Sequence, residues 1–389
     1  MRVVVAMSGG VDSSVAALLL KQQGFEVIGI SLKLWDYGEG ERPADSKTCC
    51  SLSDVRDARF VCDKLEIPFY VFNHKKDFEQ KVILPFVTEY HRGRTPNPCI
   101  LCNHHVKFDP LLAETEKMGG AYLATGHYAR IRRTADGSSR LLKARDQKKD
   151  QSYVLYHLGQ ERLRKILFPI GEYTKEEIRK IAREHGLPNA AKPDSQEICF
   201  IPNNDYAQFV EKNYPSPNLE PGNFVDKEGK ILGRHEGIHH YTVGQRRGLG
   251  IGLGTRMYVT RIDAAKNEVE LGIKDETFRD GLVACDVHWI YPPFDKGNSF
   301  ECGVKTRYQK DEFEAVIEPL VSPSPRPSPL KGEGVSKKVP SPLGGEGQGE
   351  GYRVIVHFKQ KSPFISPGQA AVFYRGDEVI GGGWIERAL

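Results

Sequence analysis

Along the first 125 residues the apolar positions switch between two periods. Arg2–Ala6 and Glu26–Lys33 are short runs rich in β-branched and aliphatic side chains, the pattern of strands buried on both faces. Ser13–Gln23 instead repeats its apolar positions at helical spacing. The alternation continues with Leu52–Leu65 (helix), Pro68–Phe72 (strand), Lys75–Tyr90 (helix), Phe108–Met118 (helix) and Ala121–Thr125 (strand). Thr174–His185 adds an amphipathic helix ended by Gly186 and Pro188. Strands alternating with helices predict a parallel sheet covered on both faces, an α/β domain assigned here to residues 1–202. Ligands of such sheets bind at the carboxyl ends of the strands, which points to the loops after Ala6, Lys33 and Thr125.

Beyond residue 202 the pattern turns to short β-like runs separated by Gly, Asn and Asp turns. Asn223–Val225 with Lys230–Leu232, and Arg256–Ile262 with Glu268–Leu271, read as hairpin-like pairs. A small, mostly-β domain is placed at 203–275 and a β-barrel-like domain at 280–389. Ser322–Gly351 belongs to neither. Its 30 residues hold 6 Pro, 7 Gly and 5 Ser but only four aliphatic side chains, and PSPLKGEG at Pro327–Gly334 returns as PSPLGGEG at Pro340–Gly347. So little apolar surface cannot offset the entropy of ordering, so the stretch reads as a disordered insertion at 322–351. The flanking runs Phe313–Glu318 and Tyr352–Phe358 are placed to pair as strands.

The chain has 389 residues, 39% of them hydrophobic and 27% charged, an ordinary globular balance with enough length for a substantial core. No apolar run approaches a bilayer span, and a strand beginning at Arg2 leaves no room for a signal peptide, so a cytoplasmic protein without a membrane partner is expected, as a monomer. Fifty-five basic against 51 acidic residues leave a net charge of +4, which permits nucleic-acid binding without demonstrating it. In a chain without an export signal, the eight cysteines are better read as metal-binding or catalytic thiols than as a disulfide scaffold.

Directly after the first strand stands Ser8-Gly9-Gly10-Val11-Asp12-Ser13-Ser14. Two glycines allow a tight turn that presents backbone N–H groups, the helix N-terminus adds its positive dipole end, and Ser8 and Ser13 offer hydroxyls. Asp12 beside an anion site makes sense if it holds Mg²⁺ on phosphates. The run lacks the lysine of a Walker A loop. A capped strand-to-helix turn is the bland reading of Ser and Asp here, but it does not account for six such residues in succession.

Two cysteines stand apart from the rest. Cys102 lies in Arg94-Thr95-Pro96-Asn97-Pro98-Cys99-Ile100-Leu101-Cys102-Asn103, a proline-stiffened polar loop ahead of a helix, where the dipole would lower a thiol pKa. Cys199 lies among apolar residues in Asp194-Ser195-Gln196-Glu197-Ile198-Cys199-Phe200-Ile201. Cys62, Cys285 and Cys302 can equally be inert small hydrophobes, and Cys49-Cys50 receive no role.

SGGVDSS resembles the PP-loop of the N-type ATP pyrophosphatases, which cleave ATP between the α and β phosphates to adenylate an oxygen. The two cysteine motifs, Thr125-Gly126-His127-Tyr128-Ala129, Lys149-Asp150-Gln151-Ser152-Tyr153, Thr242–Gly250, Val304–Tyr308 and Pro367–Tyr374 extend the likeness over nearly the whole chain. Together they are similar to the tRNA-specific 2-thiouridylases. That resemblance implies ATP with Mg²⁺ on Ala6, Met7, Ser8, Gly9, Gly10, Val11, Asp12 and Ser13, with Leu32 and Gly126 lining the nucleotide. It implies adenylation of the C2 oxygen of the wobble uridine of tRNA, and a persulfide on Cys199, charged by a cysteine desulfurase or sulfur-relay protein. Cys102 would then resolve the persulfide by forming a disulfide. It further implies contacts to the anticodon loop from Asn97, Pro98, Cys99, His127, Lys149, Asp150, Gln151, Arg307, Tyr308 and Gln369.

One departure matters. Some members carry Asp at the position of Cys99, a carboxylate suited to proton transfer at the base. With Cys99, the chain has three cysteines (99, 102, 199) able to hold an iron–sulfur cluster with one open iron, so cluster-dependent thiolation is the alternative mechanism. A PP-loop amide-forming synthetase using ammonia, and a non-catalytic RNA-binding protein, are the alternatives of other classes.

Overall fold

The structure, a computed structural model, describes residues 1–35, 52–194, 198–201, 205–216, 219–252, 254–291, 298–308, 311–320 and 352–389. Ser322–Gly351, Cys49 and Cys50 lie outside the described residues, and so do the expectations attached to them.

Strands β1 (Arg2–Ala6), β2 (Glu26–Lys33), β3 (Phe69–Asn73), β4 (Tyr122–Thr125) and β7 (Ile166–Leu167) form a parallel sheet in the order β3-β2-β1-β4-β7. The predicted parallel sheet is therefore present. Period-two alternation sends Val3 and Val5 into one apolar cluster and Val4 into another, so the sheet is buried on both faces. Helix α1 (Val11–Gln22) lies in the first of these clusters with Val15, Leu18 and Leu19.

Two helical runs contain π-turns. Lys75–Phe78 (α3) passes through Glu79–Ile83 into Leu84–His91 (α4), and Pro98–Leu101 (α5) passes through Cys102–Phe108 into Asp109–Lys117 (α6). Each π-turn stands just ahead of a proline, Pro85 or Pro110. Proline lacks the N–H for the ladder and collides with the carbonyl four residues back, and a wider turn relieves both problems. The second run corrects the reading of Cys102. Pro98 at the first helical turn starts a helix rather than stiffening a loop, so Cys102 is a helical residue, 6% exposed.

Helix α8 (Lys175–Glu184) opens with a capping box in which Thr174 accepts from the Glu177 backbone and the Glu177 carboxylate accepts from the Thr174 backbone. Helix α9 (Tyr206–Asn213) leads to a four-stranded sheet ordered β10-β11-β8-β9 (Tyr258–Asp263, Glu268–Gly272, Gly222–Val225, Ile231–His235) around Phe224, Val259 and Leu271.

The C-terminal strands β12 (Phe278–Trp289), β13 (Phe300–Lys305), β14 (Phe313–Leu320), β15 (Arg353–Pro363), β16 (Ala370–Arg375) and β17 (Glu378–Ala388) close a six-stranded barrel through the β12–β17 pairing. The runs expected to pair do so, with β14 and β15 antiparallel from Ala315↔Phe358 to Leu320↔Arg353. A hairpin from the first domain, β5 (Ala129–Arg133) and β6 (Ser139–Lys143), extends this sheet through Glu378↔Leu142. The sequence pattern did not foretell that splice, because a hairpin's partner is chosen in three dimensions.

Candidate active site

After Ala6 the chain turns through Met7-Ser8-Gly9-Gly10 into α1. Gly9 has φ +73°, and a Cβ there would lie 2.2 Å from the carbonyl oxygen of Asp54, so the turn requires glycine. Gly10 caps α1 without a side-chain cap; the Ser13 and Ser14 hydroxyls donate to its carbonyl at 3.1 and 2.9 Å. After β4, Gly126 runs so close to the same helix end that a Cβ would lie 2.6 Å from the Ser13 nitrogen. The loops after β1 and β4, with the first turn of the helix at Leu52–Lys64, thus converge on the positive end of α1, where an anion is favoured by both dipole and N–H groups.

They enclose a cleft of about 580 Å³ at the carboxyl edge of the parallel sheet. Ala6, Met7, Ser8, Gly10, Val11, Asp12, Ser13, Leu32 and Gly126 line it, while Gly9 turns its carbonyl outward to Asn189 and Lys192. Leu32, Leu34, Phe108 and Leu111 give the cleft apolar lining suited to a purine, beside hydroxyls and lysines.

Lysines absent from the loop arrive from elsewhere in the chain: Lys107, Lys149, Lys175 and Lys192 all line the cleft. Lys175 donates to both oxygens of Asp12 at 2.8 Å and reaches Asp194 at 2.8 Å, and Tyr128 donates to Asp12 at 2.8 Å. Lys149 and Arg179 also hold Asp194, each at 2.7 Å. Partial burial pushes the Asp194 carboxyl up, but its hydrogen bonds to Lys149 and Lys175 outweigh this and hold it at about 2. Lys192 bonds Asp54 and Asp57 at 2.7 Å; burial alone would lower its pKa, and the two carboxylates raise it.

His127 shares a 2.8 Å hydrogen bond with Thr125 and stacks on Phe108. Burial first, and Lys107 second, push its pKa down to about 3, so it is a neutral ring at the cleft wall rather than a cation.

Neither Cys102 nor Cys199 lines the cleft. Cys102 precedes Lys107 and Phe108 on the same helical run, and Cys199 follows Asp194 by five residues; both pack into one apolar cluster with Ile100 and Phe200. Cys99 is exposed, one turn before Cys102. Among the described residues, the one set of three His, Cys, Asp or Glu donors close enough to share an ion is Glu211, His239 and His240. Cys99, Cys102 and Cys199 do not form such a single-ion set among the described residues. Burial pushes Cys62 and Cys302 up to about 12 and Cys285 up to about 11, the behaviour of inert thiols.

A family model described as the tRNA methyl transferase HUP domain matches residues 1–203, its PRC-barrel domain matches 207–272, and an aminomethyltransferase beta-barrel domain matches 348–385. The tRNA-specific 2-thiouridylase MnmA of Geotalea uraniireducens is 47% identical over 393 residues, covering 100% of this chain and 96% of that protein. Those of Geobacter metallireducens and Carboxydothermus hydrogenoformans are each 46% identical over the whole chain and cover 97% and 98% of those proteins. This chain belongs to the MnmA family of tRNA-specific 2-thiouridylases. A solved 4-thiouridine synthetase–RNA complex with bound ATP overlays 55% of the chain at 18% identity and a TM-score of 0.30, too loosely to bear on the reaction.

Residues that the MnmA resemblance turns toward RNA separate into two groups. His127, Lys149, Gln151 and Tyr308 line the cleft, and Tyr308 is 38% exposed with its ring edge-on to Tyr153. Asp150, Arg307 and Gln369 hold the fold through their own hydrogen bonds. Asp150 is buried and accepts from Ala144, from the Ser152 backbone and from the Ser152 hydroxyl. Arg307 is largely buried, which lowers its pKa, and it donates to Val243 and Ser366 at 2.6 Å, tying the central domain to the barrel. Gln369 donates to the carbonyls of Thr95 and Pro96, fixing the approach to Asn97, Pro98 and Cys99.

Sequence reasoning gave no role to Lys175, Lys192 or Asn189, and none to Tyr128 although it stands in the Thr125–Ala129 motif. Lys175 had been absorbed into an amphipathic helix, and Lys192-Pro193-Asp194 stood beside a motif in which the cysteine took the attention. Charged residues immediately ahead of Cys199 were the available signal.

Proposed function

We propose that the chain catalyses ATP-dependent 2-thiolation of the wobble uridine of tRNA. The reading rests on family membership and on one observation above all: a nucleotide-sized cleft whose polar wall combines the Gly10-capped helix end with Lys107, Lys149, Lys175 and Lys192. In that cleft the apolar lining takes the adenine of ATP and the helix end takes its phosphates. The uridine C2 oxygen attacks the α-phosphate, pyrophosphate leaves, and the base carries AMP as a good leaving group. A magnesium ion fits the chemistry of the polar end, where the part-exposed Asp12 carboxylate would hold it and it would offset phosphate charge.

Cys199, loaded by a sulfur-donor protein, presents a persulfide whose terminal sulfur attacks C2 and expels AMP. Cys102 as thiolate then attacks the Cys199 sulfur, releasing 2-thiouridine and leaving a Cys102–Cys199 disulfide for an external thiol to reduce. Residues 1–202 would activate the base, with 203–275 and 280–389 gripping the RNA.

The test is nucleoside mass spectrometry of tRNA after incubation with ATP, Mg²⁺, a cysteine desulfurase and cysteine, with pyrophosphate measured in parallel and iron either supplied or chelated. Cys199→Ser is expected to retain tRNA-dependent pyrophosphate release and to lose 2-thiouridine. Undiminished thiolation in that variant overturns the persulfide assignment, and pyrophosphate release that ignores tRNA favours the ammonia-using class.

A further inference from the structure

Away from the cleft, the short helical turn Ile238–His240 carries two adjacent histidines, their rings 4.2 Å apart. Both bring Nε2 to a single carboxylate oxygen, Oε1 of Glu211 on α9, at 2.8 Å from His239 and 3.0 Å from His240. The three ligand atoms lie within 4.8 Å of one another. The His239 side chain is fully buried, whereas those of His240 and Glu211 are 28% and 44% exposed, so the set has a closed inner wall and an open outer side. The surrounding backbone is built around it. Gly237, at φ +142°, leads into the turn, and a Cβ there would lie 2.7 Å from Nδ1 of His239. The Tyr206 hydroxyl donates to the His240 carbonyl at 3.2 Å, and the Tyr206 ring stacks on Tyr90 of α4 at 4.7 Å. Phe209 and Val210 of α9 pack into an apolar cluster of the first domain, while Ile238 and Tyr241 belong to that of the central sheet. The carboxylate and the two imidazoles therefore meet across the join between two cores.

We propose that Glu211, His239 and His240 bind a zinc ion that ties the central sheet to the first domain. Two imidazole nitrogens and one carboxylate oxygen are a three-ligand set that holds zinc and leaves a fourth position to water. The open side between His240 and Glu211 admits that water. Imidazole ligands favour zinc and its transition-metal neighbours over magnesium and calcium, which prefer oxygen alone. On a tetrahedral ion with bonds of about 2.0 Å, ligand atoms stand about 3.3 Å apart. The nitrogens need therefore retreat from Oε1 by only a few tenths of an ångström. Each ring then carries its proton on Nδ1 and gives its Nε2 lone pair to the ion, which replaces the two hydrogen bonds to Glu211. Nδ1 of His239 is buried without a hydrogen-bond partner, so no acceptor reinforces that ligand from behind. The site is accordingly weaker than a closed four-ligand structural site, and the ion is a reversible staple.

The experiment counts zinc and reads the join directly. Full-length protein is dialysed against zinc buffered from about 0.1 to 100 µM, bound zinc is measured by elemental analysis, and backbone hydrogen exchange is followed by mass spectrometry. Glu211→Gln keeps an acceptor oxygen for both histidines while removing the charge, and His240→Gln removes a part-exposed ligand; neither alters the buried His239. Wild type is expected to bind one equivalent more than either variant, since zinc held by thiols is common to all three. Each variant should weaken that equivalent at least about tenfold, because losing an outer partner of a ligand already costs that much. Zinc should slow exchange in Tyr206–Asn213 and Ile238–Tyr241 of wild type at least about fivefold and leave both variants unchanged. Excess magnesium should not displace it. Equal uptake by the three proteins, uptake without local protection, or displacement by magnesium overturns the site. A trio held by hydrogen bonds alone predicts no extra equivalent in wild type, and that result overturns it too. No tRNA or ATP enters the measurement, so it stands apart from the thiolation assay.

Discussion

Gln369, in the barrel, donates its amide to the carbonyls of Thr95 at 2.9 Å and Pro96 at 3.2 Å, so a C-terminal strand entry sets the path of the chain into the Cys102 helix. The neighbouring backbone bond from the Thr95 N–H to the Pro367 carbonyl at 2.9 Å and the bond from the Arg94 guanidinium to the Ile385 carbonyl at 3.1 Å complete the clamp. Gln369→Ala removes two hydrogen bonds of modest net worth, about 1 kcal/mol each. We expect thiolation to fall several-fold with little change in the thermal midpoint, as kinetics beside differential scanning calorimetry will show. A large drop in midpoint with unchanged kinetics would make the clamp structural only.

Gly126 offers a sharper probe of the nucleotide cleft. Gly126→Ala would place a methyl 2.6 Å from the Ser13 nitrogen, displacing the helix end that receives the phosphates. The KM for ATP in tRNA-dependent pyrophosphate release should rise at least about tenfold, equal to about 1.4 kcal/mol of lost binding. Gly252→Ala, like Gly126→Ala free of positive-φ strain but with nothing within 4 Å of the new methyl, is the control for the same substitution without a clash.

How far these sites were legible in the sequence follows from the kind of signal each one leaves. The phosphate loop is contiguous and sits between a strand and a helix of strong periodicity, so Ser8–Ser13 could be read and located. Lys175 and Asn189 carry no such mark. They reach the loop only because α8 packs beside α1, a long-range fact that local pattern does not encode. Cys102 shows the opposite error, since Pro98, which read as stiffening a loop, is accommodated in a helix start. Asp150 and Arg307 came forward by family likeness, and the hydrogen bonds by which they also hold the fold join residues too far apart in the chain, or too ordinary in pattern, for the sequence to mark.

A cluster of neutral imidazoles predicts acid sensitivity. His104 stacks with His105 at 4.1 Å and meets His157 at 4.6 Å. Burial pushes His104 down to about 3, His288 down to about 4 and His157 well below its ordinary 6.5. Unfolding lets each regain the ordinary value, so the unfolded chain binds more protons. Their contribution is fully present above about pH 6.5 and is lost as pH falls toward 4 and 3. Urea midpoints measured from pH 8 to pH 5 should therefore decline below 6.5, and His157→Phe should flatten that decline. An unchanged slope in the variant would place the acid lability elsewhere.

Deletion of Ser322–Gly351 tests whether the barrel depends on that sequence. Strands β14 and β15 are in antiparallel register up to Leu320↔Arg353, so their ends already lie side by side where the segment departs and returns. A two-residue Asn-Gly connection between Val321 and Tyr352 suits such a pair. Shortening a loop lowers its closure entropy only logarithmically, about 0.6 kcal/mol per halving, so the barrel should keep or slightly gain stability. Activity should stay within about twofold of the intact protein, because no residue assigned to the cleft or to the two thiols lies in the deleted stretch. Loss of the thermal transition on deletion would mean that these residues contribute to the barrel core, and loss of thiolation with an intact transition would mean that they take part in binding RNA or the sulfur donor.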